Sequence, residues 1–346
     1  LANDYSAIEP PFWIVAIAEY LRKNRIEVCI IDSNAENISC EETAKKVEQI
    51  NPLISAVIVY GSQPSASTQN MTIAGKICKE LKEKTKSNVA IGGLHPSALP
   101  KKTISEESVD FVIDGEGLFT LENLVAALKK NDSDFSKVPG LWYRENGLIK
   151  NTPRPNLIQN LDKILQKSAW DLLPMNVYKA HNWHCFDNIN KRERYGAIYT
   201  SLGCPYSCIF CCINVLFGKP TIRYRSPQII MDEISVLVEK YGVENLKIVD
   251  ELFILNENHY MTICDMIIKK GYKLNIWAYS RIDTVSIKNL AKMKKAGINW
   301  LALGIESANP KVRDKSLKKI KISNIKNVVE SIQNRGIRVI GNYIFG

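Results

Sequence analysis

Residues 197–212 read A-I-Y-T-S-L-G-C-P-Y-S-C-I-F-C-C. A short apolar run ends in Gly203, and Cys204, Cys208 and Cys211 follow in a C-x3-C-x2-C pattern. A tight loop with this spacing can turn all three sulfurs toward one metal centre. Cys thiolates are the usual ligands of iron–sulfur clusters and of structural zinc. Three ligands are the informative count, because a cluster iron with no protein ligand can bind another molecule. Cys212 leaves the backbone in a different direction from its neighbour Cys211 and is a poor fourth ligand. On spacing alone, a zinc loop or a set of buried structural cysteines stands as the alternative.

This arrangement, directly after a strand, resembles the radical S-adenosylmethionine (radical SAM) enzymes. The resemblance implies that Cys204, Cys208 and Cys211 hold a [4Fe–4S] cluster whose fourth iron binds the amino and carboxylate groups of S-adenosylmethionine. It also implies a 5′-deoxyadenosyl radical that abstracts hydrogen from a substrate, the cofactors carrying the hard chemistry.

Downstream, strand and helix patterns alternate. Helices are predicted over 226–241, opened by Ser226-Pro227, over 257–270, over 286–296 and over 323–335. Strands are predicted over 246–249, 274–279, 300–303 and 339–345. Five β/α steps make an open, partial (β/α)6 TIM-like barrel, whose active site belongs at the strand C-terminal ends. Cys204, Asp250, Glu251, Arg281, Glu306 and Asn342 fall there. S-adenosylmethionine needs acceptors for its ammonium and ribose hydroxyls and donors for its carboxylate, and these residue types supply both. The resemblance implies that D-E-L-F at 250–253 contacts the methionine amino group. It also implies that G-I-E-S at 304–307 is the fourth-strand motif and that Phe210 lies beside the adenine. The plainer reading of each carboxylate is a loop charge or a helix cap.

Upstream, helices are predicted over 12–23, 41–50, 70–85 and 119–130, and strands over 28–31, 56–60, 89–91 and 111–113. The alternation predicts an α/β fold with a Rossmann-like, doubly wound parallel sheet, which binds ligands beyond the strand carboxyl ends. Gly61, Ser62, Ser65, Ser67, Gly92, Gly93, His95, Gly115 and Glu116 lie at those ends. No G-x-G-x-x-G is present, so a dinucleotide is not favoured. With P-P-F-W, I-D-S, S-Q-P-S-A-S-T-Q, G-G-L-H-P and G-E-G, residues 4–130 resemble the cobalamin-binding domain that precedes the radical SAM domain in one large group of these enzymes. Two departures matter. The strand that normally precedes P-P is missing, and no D-x-H-x-x-G occurs, since Asp32 is followed by S-N-A-E-N. A bound cobalamin is therefore expected to lack a histidine below the cobalt, and His95 is placed near the corrin with no ligand role. The alternative is a Rossmann-like scaffold that has lost its ligand.

The predicted organisation is a cobalamin-binding domain over 1–135, a linker over 136–194 with a hairpin turning at Asn146-Gly147, and an incomplete radical SAM core over 195–346. The chain reads as a fragment at both ends. His181, Trp183 and His184 in H-N-W-H are expected in a linker that packs over the active site, rather than as a zinc pair. No apolar run approaches the roughly 20 residues of a membrane helix, and no signal peptide pattern is present. The nine cysteines are an odd, unevenly spread set, which with the motif points to a reducing cytoplasm. The net charge of +10 comes mostly from lysines on predicted helix faces, read as solvated surface and not as a nucleic-acid site. The resemblance implies methylation of an unactivated carbon, or less often of phosphorus, with a small-molecule substrate and an electron donor such as flavodoxin or ferredoxin. The alternatives are a radical ring-forming or rearranging enzyme, such as the anaerobic cyclase of tetrapyrrole synthesis, and a non-catalytic cobalamin or iron–sulfur sensor.

Overall fold

The alternating apolar runs become two separate five-stranded sheets in the computed structural model. The structure describes residues 5–60, 66–316, 318, 320 and 325–345, with Ala66 described by its backbone alone. Its contacts divide it into two units. The first comprises Trp13–Gln159 and Cys212–Lys219; the second comprises Leu1–Phe12, Asn160–Cys211 and Pro220–Gly346.

The first unit contains α1 (Phe12–Lys23), α2 (Cys40–Ile50), β1 (Ile54–Val59), α3 (Ala66–Lys84), β2 (Asn88–Gly93), α4 (Leu94–Ala98), α5 (Pro100–Glu106), β3 (Phe111–Ile113), α6 (Leu118–Lys129), β4 (Leu141–Glu145) and β5 (Leu148–Asn151). Local chemistry sets several of these limits. Ser39 and Glu42 form a reciprocal capping box at the start of α2, and Asn51 ends it at φ +51. β1, β2 and β3 pair in parallel, and their inward residues Val59, Val89, Ile91 and Val112 share a core with Ala74, Cys78 and Leu81 of α3. The hairpin turns at Asn146 (φ +51) and Gly147 (φ +79), as a type I′ turn requires. It is not part of a free linker: β4 pairs antiparallel with β3, so the hairpin completes the first sheet.

Residues 28–31, predicted as a strand, are irregular, and their side chains are half-buried or exposed. A strand needs a neighbour for its N–H and C=O groups. Among the described residues β1 pairs with β2 alone, and nothing pairs with 28–31.

The second unit holds α7 (Leu161–Ile164), β6 (Tyr195–Ile198) and β7 (Ser201–Cys204). After α8 (Ile213–Phe217), which belongs to the first unit, come β8 (Thr221–Tyr224), α9 (Pro227–Tyr241), β9 (Asn245–Ile248), α10 (Glu257–Lys270), β10 (Asn275–Arg281), α11 (Leu290–Lys295), β11 (Ile298–Glu306), α12 (Pro310–Lys315), α13 (Ile325–Gln333) and β12 (Arg338–Tyr343). β6, β9, β10, β11 and β12 make one parallel sheet in the spatial order β12-β11-β10-β9-β6. β7 and β8 form a separate antiparallel pair. The apolar run before the cysteines is therefore two strands, broken at Tyr199-Thr200.

One sheet face takes the helices: a Cβ added to Gly196 would lie 3.1 Å from Val243 and 3.4 Å from Leu237 of α9. The opposite face is built in layers. Ala197, Lys247, Trp277, Trp300 and Arg338 stand in register, then Tyr279, Ala302 and Ile340, then Arg281, Gly304 and Asn342. The third layer is where the sequence placed its site. Residues 178–194 do not cover that end. Trp183 packs on Trp277 and Trp300 of the first layer, and His184 Nε2 lies 3.1 Å from the carbonyl of Asn275, the first residue of β10. The H-N-W-H segment thus closes the N-terminal ends of the strands. No described helix is long and apolar enough to cross a membrane.

Candidate functional site

The sharpest contrast at the strand ends is between two adjacent carboxylates. Asp250 is fully buried and accepts hydrogen bonds from the Thr200 N–H (2.6 Å), the Thr200 hydroxyl (2.5 Å) and the Ser201 hydroxyl (2.6 Å). It brackets the break between β6 and β7, so its carboxylate holds the fold at this corner. Glu251 is the carboxylate that stays available. Gly203 donates its N–H to it, and its Oε2 is buried with no hydrogen-bond partner among the described residues. Burial pushes its pKa up to about 8, with the Asp250 charge adding and the Arg223 charge opposing. An orphaned buried carboxylate oxygen is costly unless a donor arrives.

Cys204 ends β7 opposite Thr221 of β8. The loop then turns through a Cys211 N–H bond to the Cys208 carbonyl (3.0 Å), and Ile209 N–H donates to the Ser316 carbonyl (3.2 Å). Burial pushes the Cys204 thiol up to about 11, and the charges of Cys211, Glu251 and Cys208 add to the shift. The three thiols therefore feel one another. Among the described residues no three His, Cys, Asp or Glu side chains close on a single ion. A four-iron cluster gives each cysteine its own iron, whereas zinc draws all its ligands to one point. Cys212, already set aside as a ligand, falls in the first unit.

Arg281 is buried and engaged: Asp283 holds it in two hydrogen bonds of 2.8 Å, and its guanidinium lies 4.0 Å from the centre of the Tyr206 ring. Glu306 adopts φ +62, the left-handed region that costs a non-glycine residue roughly 1–2 kcal/mol. It pairs with Lys318 at 2.5 Å. Gly304 leaves room for that pair, since a Cβ there would lie 2.5 Å from Lys318 Nζ. The half-exposed Phe210 ring lies 6.0 Å from the same Nζ, and Asn342 stands in register with Gly304.

In the first unit, Gly61, Ser62 and Ser65 lie outside the described residues. Ser67 donates to the Val59 carbonyl (3.0 Å) and accepts the His95 N–H (3.1 Å). His95 Nδ1 meets the Thr68 hydroxyl at 3.0 Å, and burial lowers its pKa. Glu116 accepts the Ile158 N–H at 2.8 Å. These side chains tie the strand ends together. Gly93 (φ +126) is required because a Cβ would meet the Val59 carbonyl at 2.5 Å, and Gly92 packs within 3.2 Å of Ile113 by the same measure. Gly115 differs: a Cβ there meets only Arg154 Cδ at 4.0 Å, so open space lies over the backbone. Gly115 also sits at φ +96, which favours glycine whatever the space around it.

Thr200, Ser201, Tyr206 and Lys318 were not foreseen. Tyr206 stood inside the cysteine motif and could have been found there. Lys318 sits in a lysine-rich stretch where nothing distinguishes it.

The Radical SAM superfamily model matches residues 198–346, and the B12 binding domain model matches residues 1–125. An uncharacterized methyltransferase, PH0819 of Pyrococcus horikoshii, is 33% identical over 97% of this chain and 69% of its own length. The anaerobic magnesium-protoporphyrin IX monomethyl ester cyclase of Rubrivivax gelatinosus is 24% identical over 97% of this chain and 59% of its own. Among solved structures, the radical S-adenosylmethionine methyltransferase TsrM from Kitasatospora setae, with cobalamin and a [4Fe–4S] cluster bound, superposes with a TM-score of 0.75 at 17% identity. The match covers 98% of this chain and 64% of that one. The chain thus spans roughly three fifths to two thirds of these proteins.

Proposed function

This chain belongs to the radical SAM enzymes that carry a B12-binding domain, and we propose that it methylates an unactivated carbon or phosphorus centre of a small molecule. The single observation that carries the S-adenosylmethionine site is the orphaned Oε2 of Glu251 beside Cys204. It asks for a cationic donor next to a three-cysteine loop, and the methionine ammonium is one.

Cys204, Cys208 and Cys211 would hold the cluster, and the glycine surface around Gly115 would take cobalamin. When bound, the cluster with S-adenosylmethionine supplies a carbon-centred radical and cobalamin supplies a methyl carrier. The chain's own residues bind and orient. Glu251 accepts from the ammonium. Asp250 fixes the Thr200-Ser201 corner from which the cysteine loop springs. Glu306 and Asn342 offer acceptors to ribose hydroxyls, and Phe210 offers its face to the adenine. No D-x-H-x-x-G occurs in the chain, so that motif would supply no histidine to a bound cobalamin.

The cyclase relative makes the test specific. Each methyl placed consumes two S-adenosylmethionines, one leaving as S-adenosylhomocysteine and one as 5′-deoxyadenosine plus methionine. The reconstituted protein, incubated with reductant, cobalamin and candidate substrates, should release the two adenosyl products in near-equal amounts. Deoxyadenosine alone, rising with substrate, would assign a cyclising or rearranging enzyme instead. Neither product would leave a sensor.

A further inference from the structure

Arg281, expected at the S-adenosylmethionine site, is also engaged by side chains of its own chain. It closes β10 and is 4% exposed. Nε and Nη2 donate to Oδ1 and Oδ2 of Asp283, each at 2.8 Å, and this fork fixes the plane of the guanidinium. The guanidinium lies over the Tyr206 ring, 4.0 Å from its centre. Tyr206 stands between Cys204 and Cys208 in the loop, so the guanidinium lies against the loop itself, over a ring two residues before Cys208. The ends of the loop are held by backbone, through the Cys204–Thr221 pairing and the Ile209 N–H bond to Ser316. Its middle is held by the stack of Tyr206 on Arg281.

We propose that Arg281 is a positioning residue for the iron–sulfur cluster: through Tyr206 it holds the cysteine loop in the shape that keeps iron, and its charge stacked on that loop eases reduction of the cluster. The proposal rests on the reading that this loop carries a [4Fe–4S] cluster. Adding an electron makes the cluster more negative, and net charge around a cluster is one of the levers on its potential. A flat guanidinium can stack on the ring and a compact ammonium cannot, so Arg and Lys should separate the two effects.

The test compares reconstituted wild type with Arg281→Lys, Arg281→Met, Tyr206→Phe and Tyr206→Leu, without S-adenosylmethionine. Two quantities are read: the rate of iron release to a chelator, and the fraction of cluster reduced at a fixed poise, by EPR. Tyr206→Phe, which keeps the stacked ring, should release iron more slowly than Tyr206→Leu. Tyr206→Leu and Arg281→Met should release iron about tenfold faster, as expected for loss of a cation–π contact. At the wild-type midpoint, Arg281→Met should also need a poise about 59 mV lower for the same reduced fraction, a tenfold change for one electron. Arg281→Lys should keep the reduced fraction while releasing iron faster. Wild-type iron release and an unchanged reduced fraction in both Arg281→Met and Tyr206→Leu would overturn the proposal. A wild type that takes up no iron would instead defeat the functional reading beneath it.

Discussion

The two sheets present their strand ends in opposite ways. Among the described residues of the first unit the polar side chains at these ends are tied within the unit, Ser67 to Val59 and His95, Glu116 to Ile158 and Asp114 to Arg154, with the open backbone of Gly115 beside them. In the second unit the ends carry charge. Most of it is paired within the chain, as in Arg281–Asp283 and Glu306–Lys318, while Glu251 keeps a buried oxygen with no partner among the described residues. A wide apolar-faced cofactor is held by shape and backbone. A small zwitterion needs charges already in place, and their mutual pairing keeps them folded inward before it binds.

The strongest way to break this comparison is to remove a charge it calls structural. Asp250→Ala leaves three donors buried without an acceptor, and should cost about 3–5 kcal/mol in denaturant unfolding. A loss below about 1 kcal/mol would show that these three hydrogen bonds do not hold the corner.

Next in size is the closed lower end of the second sheet, which should lose stability in acid, whereas the raised pKa of Glu251 at the upper end works in the opposite sense between about pH 8 and 4.5. Burial lowers the pKa of His184 from an ordinary 6.5 to about 3. The folded state therefore binds fewer protons than the unfolded chain between those values, and stability falls as pH drops from 6.5 toward 3. The His184 contribution lost between pH 7 and pH 5 is about 2 kcal/mol, read as the difference between wild type and a His184 variant. His184→Gln should flatten that part of the pH–stability curve, and an unchanged slope would show that other groups set it.

The smallest expected effect sharpens the contrast between the neighbouring carboxylates. Glu251→Gln keeps the shape and removes the charge. It should weaken S-adenosylmethionine binding, measured by equilibrium dialysis, by about tenfold, while unfolding stability moves by less than about 1 kcal/mol. Unaltered affinity would take Glu251 out of the site.

The sequence made the order of elements readable because both units are built from apolar strands separated by amphipathic helices. The helices over 12–23 and 257–270 and the strand over 111–113 appear with the predicted limits. What failed depended on neighbours. Residues 28–31 have strand composition but no described partner, and the hairpin at 146–147 looked like a linker because its pairing with Phe111, Val112 and Ile113 is distant in sequence. The cysteines and the strand-end residues were legible from type and position. Whether a given carboxylate was free or spent was not, since Asp250 and Glu251 differ only in which way a side chain leaves the end of β9. Nor does any local signal say that His184 belongs under the sheet, because its partner Asn275 lies 91 residues away.

The most direct measurement is the iron and cobalt content of three reconstituted proteins: wild type, Cys204→Ala, and Gly115→Trp, whose side chain would fill the space over the first unit's backbone. Wild type should carry about four irons and one cobalt per chain. Cys204→Ala should lose the iron and keep the cobalt, while Gly115→Trp should lose the cobalt and keep the iron. A Cys204→Ala protein that still holds four irons, or a Gly115→Trp protein that still holds cobalt, would contradict the assignment of one ligand to each sheet.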